Sequence, residues 1–346
     1  MSSFESRRGP ASALLARRTR QVLVFPIALL LWSAWSSRVE AQQQPQGFAV
    51  ERFYPSAPGS GWFIMDDLKF QGGLGGAVAL TSGYARKPLE VTSPDGTHHL
   101  SLVSNEAFVD FGLAATYHRY RVSLNFPMPV LVTGTSGTIG PYQLIAPKVD
   151  VGTNPDGISD ARVGFDVRLR GEAGSSLRLG VGARLIIPFG ARADYVTDGT
   201  YRGMMRGLVA GDVGRFSYAG QLGLHVRSVD DSPAPGSPQG SEFLFGASAG
   251  RRLPVRAGWT VVVGPEFYGE TAVRAFFGGR TGFEGLVTGR FEGIGDGPHL
   301  RIKLGVGGGL DPHFGASRWR VVVGMELLGQ RSDRSTLPGS GAEAAN

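Results

Sequence analysis

"LRLGVGARLIIPF", residues 177–189, is the stretch on which the fold turns. Taken alternately, it gives Leu177, Leu179, Val181, Ala183, Leu185, Ile187 and Phe189 on one side, and Arg178, Gly180, Gly182, Arg184, Ile186 and Pro188 on the other. A period of two belongs to an extended strand, whose side chains point by turns to its two faces. One face is oil and the other sets two arginines among glycines. What each face meets decides the architecture.

The same texture runs from Gly75 nearly to the end of the chain and predicts twelve strands: 75–87, 99–117, 121–131, 160–170, 177–189, 203–213, 217–227, 242–252, 259–270, 282–292, 300–310 and 318–328. Most are about eleven residues long, which suits a tilted transmembrane strand of ~9–11 better than a soluble strand of ~5–6. The second is longer than the rest and is expected to hold a bulge near Asn105.

The connections alternate in length. Those at 118–120, 171–176, 214–216, 253–258 and 293–299 are short, and those at 88–98, 132–159, 190–202, 228–241, 271–281 and 311–317 are mostly longer. Outer-membrane barrels are built this way, with tight periplasmic turns and extended external loops. A soluble sandwich has no reason to sort its connections. Tyr117, Tyr120, Phe216, Tyr218, Trp259 and Phe291 all border the short turns, as an interfacial aromatic girdle does. The reading is therefore all-β: a transmembrane antiparallel up-and-down barrel of about twelve strands. Its apolar face meets lipid and its arginines look inward. An even strand count leaves both ends of the barrel domain on the periplasmic side.

The 346-residue chain has 53 Gly, 42% hydrophobic residues, no Cys and a formal charge of +6. Without cysteine there are no disulfides and no thiolate metal sites. Residues 1–41 read as a signal peptide, with basic residues ahead of the apolar run "VLVFPIALLLWSAW" (22–35) and Val39 and Ala41 at the small-residue cleavage positions. That leader holds six Arg and two Glu, so removing its +4 leaves about +2 and takes away the main argument for nucleic-acid binding. Residues 42–74 are expected to be a periplasmic lead-in, although a plug or an extra strand also fits 48–74. Residues 75–328 form the barrel, and 329–346 a short flexible tail.

"FAVERFYPSAPGSGWF" (48–63), "GYARKPL" (83–89), "FSYAGQLGLHVR" (216–227), "GSEFLFGASAG" (240–250) and "VVGPEFYGET" (262–271) resemble the N-terminal barrel region of long OmpA-family outer-membrane proteins. The resemblance covers roughly residues 48 to 328 and implies an outer-membrane β-barrel. Relatives commonly continue into a peptidoglycan-binding domain. Here "MELLGQRSDR" is followed only by "STLPGSGAEAAN", so peptidoglycan binding is not expected.

Nothing in the chain reads as catalytic or as a cofactor site. The glycine runs at 72–77 and 305–310 lack the strand-to-helix setting that lets backbone amides hold a phosphate. Asp156 and Asp160 are too few oxygens for calcium. His98 and His99, adjacent on an extended segment, point opposite ways. His225 and Ser217 face the lumen eight residues apart, ~26 Å along a strand, and form no nucleophile–base pair.

The inward charges segregate. Arg162, Arg168, Arg170, Arg178, Arg184 and Arg206 form a basic wall; Glu242, Glu266, Glu270, Glu284, Glu292 and Glu326 form an acidic one across the ring. Arg301 and Lys303 break the pattern. In a narrow lumen the walls meet as salt bridges and plug it. In a wet one they set a transverse field. The expected function is a passive channel or envelope component of the bacterial outer membrane, admitting small polar solutes. The alternative is a closed structural or surface-recognition barrel whose loops, 132–159 and 228–241 above all, bind partners. Lipid and the barrel-assembly machinery are the partners that either implies.

Overall fold

The computed structural model describes residues 47–70, 73–93, 95–139, 142–229, 240–255, 259–278, 281–293, 299–312 and 315–330. The leader at 1–41, most of the 228–241 loop and nearly all of the 329–346 tail lie outside them. Twelve long strands appear where alternation places them: β1 (Leu74–Thr92), β2 (His99–Tyr117), β3 (Tyr120–Thr133), β7 (Ala161–Arg170), β8 (Arg178–Ile187), β9 (Arg202–Val213), β10 (Phe216–Val226), β11 (Glu242–Val255), β12 (Trp259–Ala272), β13 (Thr281–Gly293), β14 (His299–Pro312) and β15 (Trp319–Gln330). Three short strands, β4 (Gly137–Ile139), β5 (Tyr142–Leu144) and β6 (Lys148–Asp150), fold the connection between β3 and β7. The helical pieces among the described residues are two 3-10 turns, Arg192–Asp194 and Val273–Ala275.

The sheet closes on itself. β1 runs antiparallel to β2 on one side and to β15 on the other, so Leu80 has Phe111 and Met325 as its two neighbours. Each remaining long strand pairs antiparallel with those before and after it. Closure leaves no long unpaired edge, which the interior of a bilayer requires. The long loops gather at one end of the barrel, here the loop end, and the tight turns at the other, the turn end.

Among the described residues, none covers the oily faces. Val181 and Val323 each remain 45% exposed, and Leu327 53%. Leu179 and Ile302 share that outer face. A soluble fold would bury this surface beneath a second layer, whereas the only other sheet among the described residues is the two-stranded β4–β5 hairpin. Placing a cation there is expected to be costly. Val323→Arg should destabilise the barrel by about 2–4 kcal/mol in bilayers, read from the midpoint of reversible folding into vesicles. An unchanged midpoint would mean that this face does not meet lipid.

Two details of the strands bear on the alternation. The bulge expected in β2 near Asn105 falls at Leu102, an added residue opposite Leu89–Glu90 of β1. Its partners carry extra residues too, within Lys87–Pro88 of β1 and at Val130 of β3, and Lys87 takes a left-handed φ of 53°. In β7 the register slips between Arg168 and Arg170, leaving Leu169 as an added residue. A bulge reverses the alternation beyond it. Arg170 therefore points out and is exposed, and it does not belong to the basic wall.

Candidate functional site

The lumen is filled by residues 47–70, which corrects the expectation of a periplasmic lead-in at 42–74 for this part of the chain. At the loop end, the Gly47 carbonyl accepts from Arg192 Nε (2.8 Å) and the Val50 amide donates to the Tyr195 carbonyl (3.0 Å). Phe48 and Val50 enter an apolar cluster with Leu102, Val132, Leu144, Val149 and Tyr195 that caps this end. The segment then descends to Gly59, which sits beside Ala77 and Leu328 near the turn end. There it doubles back: Ser60 N–H donates to the Ala57 carbonyl (3.0 Å) and Ser56 N–H to that of Phe63 (2.7 Å). Phe53, Trp62, Phe63, Met65 and Leu68 pack with Phe108, Val262, Tyr268, Leu286 and Val322 of the wall.

The segment explains the lumenal glycines. A Cβ on Gly250 would fall 2.7 Å from Trp62 Cη2, and one on Gly305 or Gly324 would fall 3.1 or 3.2 Å from the Phe63 ring. The glycines make room for aromatic rings of the inserted chain, not for the opposite wall. The cause of their placement is crowding, as the sequence indicates, but the crowding body is residues 47–70.

The two charged walls do not meet. Each is matched by its neighbours in the barrel or by the segment between them. On the basic side, Arg162 pairs with Asp110, Arg178 with Asp212 (2.9 Å) and Arg206 with Asp166 (2.9 Å). Arg168 donates to the Leu68 and Phe70 carbonyls and pairs with Glu172 (3.1 Å). Arg184 donates to the Pro55 carbonyl (3.1 Å) and Arg178 Nε to that of Asp67 (2.8 Å). On the acidic side, Glu242 holds Arg52 and Arg227 (3.0 Å each), and Glu270 holds Arg52 (3.3 Å) and His225 (3.0 Å). Glu284 binds Arg320 (2.8 Å), Glu292 binds Arg290 (2.8 Å) and Arg301 (2.9 Å), and Glu326 binds Arg301 (2.8 Å) and Lys303 (2.7 Å). Glu266 accepts three backbone amides of the segment, Phe63 (3.1 Å), Ile64 (2.6 Å) and Met65 (2.8 Å).

Charge binds the segment to the wall at several centres, Lys69 with Asp212 (3.4 Å) and Asp67 with Arg290 (3.9 Å) among them. Arg121 of β3 joins Asp66 to Asp166. Arg320 of β15 joins Glu51 (2.8 Å) to Glu284. Arg52 reaches the acidic pair Glu242 and Glu270. In the segment itself, burial works to raise the Asp67 carboxyl, but Lys69, Arg290, Arg301 and Arg178 together outweigh it and hold it at about 2. At the loop end burial likewise opposes ionisation of Asp198. Arg227, Arg202 and the hydrogen bond from the Ala49 amide (2.9 Å) nevertheless keep it well below the usual carboxylate range. A carboxylate fixed as an anion there locks the segment's first residues to the loop before β9.

Small cavities remain on either side of the obstruction. One of about 180 Å³ at the turn end is lined by Gly59, Lys69, Arg121, Glu292 and Arg301. Another of about 50 Å³ toward the loop end is lined by Glu51, Tyr54, Asp110, Asp160 and Arg202. His225 faces Glu270 and Glu242, with no serine hydroxyl as its partner. Asp160 is engaged by Arg202.

The six aromatics beside the short turns all point outward, Phe216 the most exposed of them at 59%. The loop end carries a second outward set, including Phe189, Tyr201, Phe276, Phe277 and Trp319. Sequence reasoning missed it because these residues sit at strand ends and in long loops whose limits alternation does not mark.

No protein-family model matches the chain, and no curated protein matches it in sequence. Solved structures do match in fold. An outer membrane channel from Pseudomonas putida F1 superimposes with a TM-score of 0.50 at 12% identity, covering 76% of this chain and 97% of that one. The Ralstonia pickettii toluene transporter TbuX gives 0.39 at 9% identity, with 82% and 98% covered. The anion-selective porin from Comamonas acidovorans gives 0.31 at 10%, with 75% and 98% covered. The chain is an outer-membrane-type β-barrel.

Proposed function

We propose that this protein is a passive channel of the bacterial outer membrane, held shut by residues 47–70. The observation that carries the reading is that one continuous segment fills the lumen. Lifting that segment out would leave a passage lined by the arginines and carboxylates it now occupies, suited to small polar solutes. The outward apolar bands and both aromatic sets provide the contact with lipid. A kinship with the barrel region of long OmpA-family proteins agrees with this reading and rests on the motifs quoted above.

The chain lacks cysteine, so a tether between segment and wall can be introduced without background. A Cβ on Gly59 lies 3.5 Å from that of Ala77, within the ~3.5–4.5 Å spacing of disulfides; the φ of +87° at Gly59 strains a side chain there, so the reduced double variant serves as the reference. In planar bilayers the intact chain is expected to be nearly silent, and deletion of residues 47–70 to give steady ohmic conductance. Gly59→Cys/Ala77→Cys should suppress the residual openings when oxidised and restore them on reduction. A folded deletion variant as silent as the intact chain would overturn the channel reading and favour the closed barrel.

A further inference from the structure

We propose that His225, Glu242 and Glu270 form a site for a divalent transition-metal ion, and that Arg52 of the lumenal segment stands in for that ion in the closed barrel. The three residues come from β10 and its two successive neighbours β11 and β12, where pairing of His225 with Glu242 sets them side by side. One ligand atom from each lies within 4.8 Å of the other two. His225 Nδ1 is 3.0 Å from Glu270 Oε2 and 3.6 Å from Glu242 Oε2. A tetrahedral ion bound at ~2.1 Å separates its ligands by about 3.4 Å, so the two spacings to His225 need adjustments of only a few tenths of an ångström, and the two carboxylates, within 4.8 Å of each other, close on the ion by side-chain rotation. One imidazole and two carboxylates suit zinc, cobalt or nickel better than a hard cation that wants oxygen alone.

A cation already occupies this place. Arg52 Nη2 lies 3.0 Å from Glu242 Oε1, and its Nε 3.3 Å from Glu270 Oε2, the same oxygen a metal would use. Arg52 and a metal ion therefore exclude one another. Around the triad, four carboxylates (Asp160, Asp198, Glu242, Glu270) face three guanidinium groups (Arg52, Arg202, Arg227), leaving one net negative charge. Exchanging Arg52 for a divalent ion turns that into neutrality. His225 is fully buried, and its Nε2 has no hydrogen-bond partner. In the closed barrel the Glu270 carboxylate, which only accepts, keeps the ring proton on Nδ1; an ion binding there takes that proton's place, and the unpartnered Nε2 can carry it instead. A cavity of about 20 Å³, bordered by Arg52, Tyr54 and Glu270, has room for one water beside the site.

Competition makes the effect reciprocal: metal binding should weaken the hold on the segment, and loss of Arg52 should strengthen metal binding. This inference does not depend on conduction, and its test reads none. Cobalt(II) is titrated into the full chain in detergent micelles and followed by its visible absorption, with heat-modifiable gel mobility reporting the fold. Arg52→Gln is expected to bind about tenfold or more tightly than the intact chain, an ordinary size for such coupling. His225→Gln should abolish the band in either background. In the intact chain, zinc should speed amide exchange at Phe53 and its neighbours, an effect lost in His225→Gln. Absence of a saturable band in both folded proteins would overturn the proposal, as would equal affinities or binding that survives His225→Gln. Should Arg52→Gln not fold, unchanged exchange in zinc would overturn it alone.

Discussion

Glu266→Ala is expected to free residues 62–65 from the wall at a cost of about 3–5 kcal/mol. The carboxylate takes the amides of Phe63, Ile64 and Met65 together, in a place sealed from water. Removing it strands three buried donors, each costing about 1–3 kcal/mol, with partial relaxation keeping the total below the sum. The β12 ladder is untouched, because it is made of backbone hydrogen bonds to β11 and β13. The barrel should therefore keep its heat-modifiable mobility while amides 63–65 lose protection from exchange. Glu266→Gln retains one acceptor oxygen and should fall between. Unchanged protection in Glu266→Ala would show that packing of Trp62 and Phe63 alone holds the segment.

Arg121→Ala should have an effect of similar size by another route. Arg121 is fully enclosed and binds Asp66 of the segment and Asp166 of β7. Arg206 still serves Asp166 (2.9 Å) when Arg121 is gone, but Asp66 is left as a buried anion beside the Ser60 hydroxyl. Breaking one side of such a pair costs about 3–5 kcal/mol, because the remaining charge has neither water nor a counter-ion. The segment can avoid that cost by leaving the lumen, so the loss should appear as protease cleavage between residues 47 and 70 before the barrel unfolds. Adding Asp66→Asn to Arg121→Ala removes the stranded charge and should recover most of the stability. Equal cleavage rates in Arg121→Ala and the intact chain would exclude the centre as an anchor.

The barrel was legible because lipid imposes its pattern residue by residue. Leu179, Val181, Ile302 and Val323 have to be apolar wherever they sit in the ring, so alternation shows in the chain without knowledge of any partner. Loop and turn lengths likewise record which end each connection occupies. The inward direction of His225, Glu242 and Glu270 could be read from the same alternation. Their meeting could not, since it depends on the register between β10, β11 and β12.

The sequence by itself determined twelve strands, their two faces and the inward arginines and glutamates, because these follow from a period of two against a uniform apolar solvent. Only the tertiary structure decided what fills the centre. "ERFYPSAPGSGWF" carries no period, and its aromatic rings acquire a place only once Gly250, Gly305 and Gly324 have left hollows for them. The outward turn of Arg170 was also settled in three dimensions. A single added residue in β7 reverses the alternation, and such a bulge leaves no mark in composition.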